Sequence, residues 1–358
     1  MYFQRCLHHF YLRSFNPTIF SVLNRKKRNF NPSNILSTAL MLFSFCPSVY
    51  ADYSTHPRAK AFVDTMVVEH KFERDDITAL LKNAEKKQAI LDAIARPAEK
   101  TMEWVDYRKI FLGATRIEQG VQFWQENSEA IARAAKKYGV EPEIMVAIIG
   151  VETRYGRHAG KYRVLDALTT LGFDYPKRGK FFRGQLEQLF LLAREQKQDV
   201  NALTGSYAGA MGYGQFIPSS YRSFAVDFDG DGIADIWNNP VDAIGSVANY
   251  FNAHKWQYHQ PVVTRARINA GYDKTILNQK TKPCLSLSEL QEKGYVPSVD
   301  DFPSDIKVLP LIFQGDKGAE FWIGFENFYV ITRYNRSHLY AMAVWQLSQE
   351  IKQGFDEV

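Results

Sequence analysis

The chain reads as mainly α, of the α+β kind, and three observations carry that reading. Apolar residues recur at spacings of three and four from His56 to about Tyr138. A dense apolar stretch then runs from Pro142 to Gly156. After Lys255 the pattern changes to short β-branched and aromatic segments between turn residues, until helical spacing returns near the C-terminus.

The first 51 residues stand apart. A basic RKKR cluster, an apolar run from Ile35 to Phe45 and small residues at Val49 and Ala51 have the order of a secretory signal cut after Ala51. This leader holds Arg5, Arg13, Arg25, Lys26, Lys27 and Arg28 and no acidic residue, so the formal charge of +5 becomes nearly neutral without it. A near-neutral remainder gives no electrostatic case for binding nucleic acid or a membrane surface. A lipid anchor on Cys46 is the competing reading, but bulky Phe45 stands where a lipobox takes a small residue. Cys6 and Cys46 both fall in the leader, which leaves Cys284 without a disulfide partner and expected to be structural. No later run approaches the roughly 18 apolar residues that crossing a bilayer requires.

In chain order, AFVDTMVVEH, ITALLKNAEKKQAILDAIA and QFWQENSEAIARAAKKYG are expected helices, punctuated by Pro97 and Gly113. Trp104, Tyr107, Phe123 and Trp124 could be sugar platforms, but aromatics on amphipathic helices belong more often to the core. The next helix should begin at Pro142, whose φ suits the first position, and stop near Gly156, which can take a positive φ. Another is expected from Phe181 to Gln196, then a glycine-rich loop and a helix, acidic loop, helix unit. PVVTRARI, DIKVLPLIF, EFWIGF and NFYVITRY read as strands, and AMAVWQLSQEIKQG as a last helix capped by Ser337. Neither an internal repeat nor a low-complexity segment occurs, which argues against a solenoid.

Glu152 is the chemically distinctive residue. One and two turns before it lie Ile149, Ile148 and Met145, so its carboxyl projects from an apolar face. Burial disfavours the charged form, and a raised pKa is what a general acid near neutral pH needs. A structural ion pair with Arg154, Arg157 or Arg163 explains the same residue equally well.

Two further stretches carry motifs. GSYAGAMGYGQF, residues 205–216, lets backbone approach a ligand closely or simply makes a tight turn. Its glycine order fits neither a dinucleotide fingerprint nor a phosphate loop, and Ser206 does not sit in GxSxG. DFDGDGIADIW places Asp227, Asp229 and Asp231 at positions 1, 3 and 5 of an EF-hand, with Gly232 at 6, Ile233 at 7 and Asp235 at 9. Position 12 is Asn238 where a bidentate Glu is expected, and Asp242 is the candidate closing carboxylate of a lengthened loop. Alternating carboxylates repel one another without a cation, which favours one structural calcium ion over an empty turn. Other metal chemistry lacks support, since no HExxH occurs and the histidines outside the leader do not cluster.

Together, FVDTMVVEH, VAIIGVETRYG, LDALTTLGFDYPKR, GSYAGAMGYGQFIPSSY, the DFDGDG loop, DAIGSVANYF and NFYVITRYNRSHLYAMAVWQL resemble the lytic murein transglycosylase B family over most of the chain beyond the leader. The resemblance implies a lysozyme-like helical core with an EF-hand-type calcium loop, a flanking helical domain and a small β-rich domain. The implied boundaries are a leader at 1–51, a helical domain at 52–138 with 346–358, a catalytic core at 139–254 with 326–345 that carries calcium loop 227–242, and a β-rich domain at 255–325. It implies cleavage of the bond between N-acetylmuramic acid and N-acetylglucosamine in peptidoglycan without water, leaving 1,6-anhydromuramoyl ends, with Glu152 as the single acid and base. Peptidoglycan glycan strands are the implied partner, with no organic cofactor and a periplasmic location, and other cell-wall enzymes stay open as partners.

Implied sugar contacts are Tyr107, Lys177, Arg178, Ser206, Met211, Gln215, Phe216, Tyr250, Tyr334, Asn335 and Tyr340. Of these, Ser206 and Asn335 would hold the reactive sugar, and Lys177 and Arg178 would meet stem-peptide carboxylates. Lys177 stands where arginine is common in the family, which removes bidentate binding there. Implied metal ligands are Asp227, Asp229, Asp231, the Ile233 carbonyl and Asp242. Three alternatives belong to other classes: a hydrolytic muramidase using Asp166 or Asp174 as second carboxylate, a non-catalytic peptidoglycan-binding module, and a calcium-sensing switch.

Overall fold

The computed structural model describes residues 52–95, 102–299 and 301–358. The leader with its Ala51 cleavage point, Cys46 and Pro97 lie outside the described residues. The N-terminal part is helical throughout: α1 (Ala59–Val68), α2 (Arg74–Asn83), α3 (Gln88–Ala95), α4 (Trp104–Phe111), α5 (Ala114–Glu126) and α6 (Ser128–Tyr138). Two expected helices are each broken in two. The gap between α2 and α3 arises because the Glu85 and Lys87 amides donate to the side chains of Asp166 and Thr170 rather than to helical carbonyls. The second break falls at Asn127, whose side-chain amide donates to the Phe123 carbonyl.

The middle of the chain supplies α7 (Pro142–Thr153), β1 (Tyr162–Arg163), α8 (Val164–Asp174), α9 (Gly179–Glu195), β2 (Thr204–Gly205), α10 (Pro218–Phe224) and α11 (Pro240–Ala253). From Glu143 to Thr153 every residue of α7 is buried. A helix apolar on all sides must be enclosed by other elements, and α5, α6, α11 and the last helix pack around it.

The expected β-rich stretch holds β3 (Val263–Ile268), β4 (Leu285–Ser286), a short α12 (Leu287–Glu292), β5 (Tyr295–Pro297), β6 (Lys307–Gly315) and β7 (Gly318–Gly324). These strands form one antiparallel sheet in the order β4-β6-β7-β3-β5. A small second core of Leu287, Leu290, Tyr295, Val308, Ile323 and Phe325 lies under it, separate from the main core.

NFYVITRY is not a strand. It forms α13 (Glu326–Tyr334), burying Asn327, Phe328, Val330, Ile331 and Tyr334, a helical spacing that tertiary packing enforces against β-branched preference. The chain closes with α14 (His338–Asp356), capped by the Ser337 hydroxyl as expected. Trp104, Phe123 and Trp124 are buried, and Trp124 stacks on Phe355 with ring centroids 4.2 Å apart, so these three belong to the core, while Tyr107 is buried beside Glu152. Cys284 is free and exposed, so it is not the packing residue expected. Among the described residues no helix is long and apolar enough to cross a membrane.

Candidate active site

The site begins at the end of α7. Pro142 opens the helix as expected, but the helix stops at Thr153 instead of continuing toward Gly156. Arg154 and Tyr155 both take left-handed backbone, with φ of 53° and 59°. Non-glycine residues hold such angles only where their surroundings enforce them. Here Tyr155 turns back across α7, and its hydroxyl donates to the Arg116 carbonyl at 2.9 Å. The ring lies so close to Gly150 and Gly120 that a Cβ at either would sit 2.5 Å from its oxygen. The Thr153 hydroxyl donates to the Tyr213 carbonyl at 2.9 Å, tying the helix end to the glycine-rich loop.

Glu152 is 7% exposed. Its Oε1 accepts a hydrogen bond from the Tyr340 hydroxyl at 2.6 Å. Burial pushes its carboxyl up to about 7, against the Tyr340 hydrogen bond, which pulls the other way. Tyr107, Tyr250, Tyr334 and Tyr340 are buried around it, and each feels the negative charge of Glu152 while burial raises its own hydroxyl. The expected alternative of an arginine pair does not form the site. Arg154 donates to Gln119, Arg163 pairs with Asp166, and Arg157 is exposed.

The glycine-rich loop joins this group. Met211 bridges to both Gly205 and Phe216, folding residues 205–216 on themselves. Phe216 lies 5.9 Å from the Tyr250 ring and 6.1 Å from Tyr334. The Tyr334 hydroxyl donates to the Gly214 carbonyl at 2.6 Å, and that of Tyr250 to the Arg333 carbonyl at 2.7 Å. Ser206 accepts from the Ala208 and Ala210 amides, which fixes its oxygen within the loop. Gln215, at φ 50°, spans from the loop to the Ala159 carbonyl. Asn335 is buried directly after α13.

Lys177 and Arg178 are placed differently. They line a cavity with Phe181, Gln185 and Ser219 that none of the four tyrosines lines, and the Arg178 guanidinium lies 4.4 Å from the Phe181 ring centre. Asp166 and Asp174 are engaged with the N-terminal helices. Asp166 pairs with Arg163 and accepts from the Glu85 amide, and Asp174 accepts from the Tyr53 hydroxyl at 2.6 Å and faces Lys86 at 3.3 Å.

Arg116 was not foreseen from the sequence. It is buried, and its Nη1 donates to the Gly150 carbonyl at 2.6 Å, two residues before Glu152. An arginine on an amphipathic helix ordinarily faces water, so its sequence position gave no signal.

The acidic loop gathers as its spacing implied. One carboxylate oxygen from each of Asp227, Asp229, Asp231 and Asp242 lies within 4.8 Å of the others. Asp242 is fully buried and accepts from the Phe228 and Asp235 amides at 2.7 and 2.8 Å, so helix α11 fixes it beneath the loop. Asp235 turns away to accept from the Trp237 and Asn238 amides, and Asn238 at position 12 donates to Asp235. A converging all-oxygen donor set suits a hard cation such as calcium.

The sequence model of the family described as Transglycosylase SLT domain matches residues 54–349. The chain is 44% identical over 309 residues to the membrane-bound lytic murein transglycosylase B of Escherichia coli K12, covering 84% of each. It matches the catenated lytic transglycosylase SltB1 of Pseudomonas aeruginosa with a TM-score of 0.83 at 52% identity, over 85% of this chain and all of that one. It also matches the Escherichia coli lytic transglycosylase Slt35, solved in complex with calcium, with a TM-score of 0.78 at 43% identity, over 85% of this chain and 96% of that one. The helical core around Glu152 is thus the lysozyme-like fold of these enzymes, and the chain belongs to the lytic murein transglycosylase B family and is a peptidoglycan lytic transglycosylase.

Proposed function

We propose that Glu152 alone serves as acid and base in cleaving the β-1,4 bond between N-acetylmuramic acid and N-acetylglucosamine. The observation that carries this is a buried carboxyl poised near neutrality, with the Tyr340 hydroxyl donating to it. Protonated Glu152 gives its proton to the glycosidic oxygen, the bond from that oxygen to C1 breaks, and N-acetylglucosamine leaves with a free 4-hydroxyl. The resulting carboxylate takes the proton from the muramoyl C6 hydroxyl as O6 bonds to C1, closing the 1,6-anhydro ring and restoring the acid. Proton and electrons balance without water, so no carboxylate is needed to activate one. The engagement of Asp166 and Asp174 with the N-terminal helices supports this over a hydrolytic muramidase.

Tyr107, Tyr250, Tyr334, Tyr340, Met211 and Phe216 form the walls of the sugar site in this reading, with Ser206, Gln215 and Asn335 supplying its polar groups. Lys177 and Arg178 meet peptide carboxylates farther along. Asp227, Asp229, Asp231, Asp242 and the Ile233 carbonyl hold one structural calcium. The ion, when bound, neutralises the carboxylates and fixes the loop against α11. The leader's signal pattern supports export to the periplasm, with cleavage near Ala51. The division at 52–138 with 346–358, 139–254 with 326–345, and 255–325 goes with this reading, supported for the last part by its separate core.

Mass spectrometry of the products from purified peptidoglycan tests the mechanism. Fragments ending in anhydromuramic acid, one water lighter than reducing ends, are expected, and Glu152→Gln should lose about a thousandfold in turnover. Reducing ends, or a variant with full turnover, would overturn it.

A further inference from the structure

A second feature, at the head of the helix that carries Tyr340, is unused by this chemistry. Where the loop after β3 meets the turn between α13 and α14, a cavity of about 530 Å³ is lined by Lys280, Lys282 and Arg336, together with Ser337 at the head of α14. Among the described residues no acidic side chain lines it, and none pairs with these three cations. Lys282 lies over the Tyr329 ring at 5.8 Å. The cavity adjoins a second one of about 410 Å³, which shares Ser337 and is lined by Trp104 from α4. Trp104 is 1% exposed, and its indole N–H has no acceptor. The positive end of the α14 dipole adds to the same field.

Three cations and a helix head call for an anion of carboxylate type, and the acidic side chain of Glu103 lines only the neighbouring cavity. Position narrows the source. Arg336 directly follows the buried Asn335 and stands just before the Ser337 cap of α14, the helix whose Tyr340 donates to Glu152. A glycan seated at Glu152 carries its stem peptide, with free carboxylates, from the muramoyl lactyl group beside the reacting bond. We propose that Lys280, Lys282 and Arg336 form a subsite for stem-peptide carboxylates, separate from the Lys177 and Arg178 cavity. The inference rests on the reading of the Glu152 cleft as the glycan site. The enzyme therefore distinguishes peptide-bearing from naked strands from the side of its β-rich part.

The test is steady-state kinetics of the full protein on two soluble substrates, peptide-bearing glycan strands and the same strands stripped of peptides. In Lys280→Gln/Lys282→Gln/Arg336→Gln, KM for peptide-bearing strands should rise about tenfold, as expected for three exposed charge pairs. KM for stripped strands, and kcat on both, should stay at the wild-type values. In the wild type, raising salt should erode the preference for peptide-bearing strands, since exposed charges are screened. Binding of a soluble muramoyl peptide to Glu152→Gln provides a readout without turnover, and amidating its carboxylates should weaken it. Equal KM changes on both substrates, a salt-independent preference or unchanged binding of the amidated peptide would overturn the subsite. If the reading of Glu152 fails instead, neither substrate yields anhydro ends while peptide binding persists.

Discussion

Replacing Glu152 with glutamine should stabilise the protein, and increasingly so as pH rises. An unfolded glutamate ionises near 4.5, whereas burial holds folded Glu152 near 7. Between these values the folded state keeps a proton that the unfolded state has released, so stability falls with rising pH in that window. The loss is absent below the lower value and complete above the higher one. At about 1.4 kcal/mol per pH unit, it reaches about 3 kcal/mol at pH 8. Glutamine keeps the shape and still accepts from Tyr340, but it has no proton to lose. Urea unfolding of both proteins at pH 5 and pH 8 isolates the effect, because contributions such as that of buried Glu143 cancel in the difference. The variant's advantage should grow by about 2 kcal/mol over that range. Parallel stability curves would refute the claim that Glu152 is buried and raised, and with it the physical basis for its proposed acid role.

Further consequences are open to direct measurement. Tyr340→Phe deletes the hydrogen bond that lowers the Glu152 pKa, worth about 1.5 kcal/mol to a charged group. The alkaline limb of kcat/KM should therefore move up by about one pH unit with the same products, and a downward shift or none would contradict the role given to Tyr340. Removing calcium with a chelator should lower the melting temperature by about 5 °C or more, as a ligand near a hundred times its Kd contributes roughly 2.7 kcal/mol. Coincident melting curves with chelator and with added calcium would count against the site. Gly156→Ala places a methyl group 2.3 Å from the Tyr213 ring at a φ of +83°. It should cost about 2 kcal/mol in unfolding free energy, and a neutral effect would show that this close approach does not constrain the turn.

What could be read from the sequence follows the range of the forces involved. The Pro142 start and the carboxyl among apolar residues are local features, and so is the alternation of Asp227, Asp229 and Asp231. Asp242 was within reach because it lies on the next helix, close in sequence. The end of α7 was not, since left-handed backbone at Arg154 and Tyr155 depends on Gly120 and Arg116, both more than thirty positions away. For the same reason the break at Ala84–Lys87 depends on α8, and α13 is helical through its burial rather than its β-branched composition. Tyr340 could be matched to a sugar site by resemblance, but its bond to a residue 188 positions earlier has no local signature.

That distance also bears on the proposed alternation of one carboxyl between acid and base. Burial alone would drive Glu152 far up and leave it a poor base. A hydrogen bond from Tyr340 favours the ionised form and brings it back toward neutrality. The balance requires α14, the last helix, to pack against α7 and place that hydroxyl at 2.6 Å. It also requires Arg116 on α5 to hold the Gly150 carbonyl, so that the end of α7 does not drift as the carboxyl changes charge. The acid is therefore set by helices from the middle, the N-terminal third and the end of the chain at once. A chain ending before His338 would leave the apolar face of α7 in water, where Glu152 would titrate as an ordinary carboxylate and could not protonate a glycosidic oxygen at neutral pH.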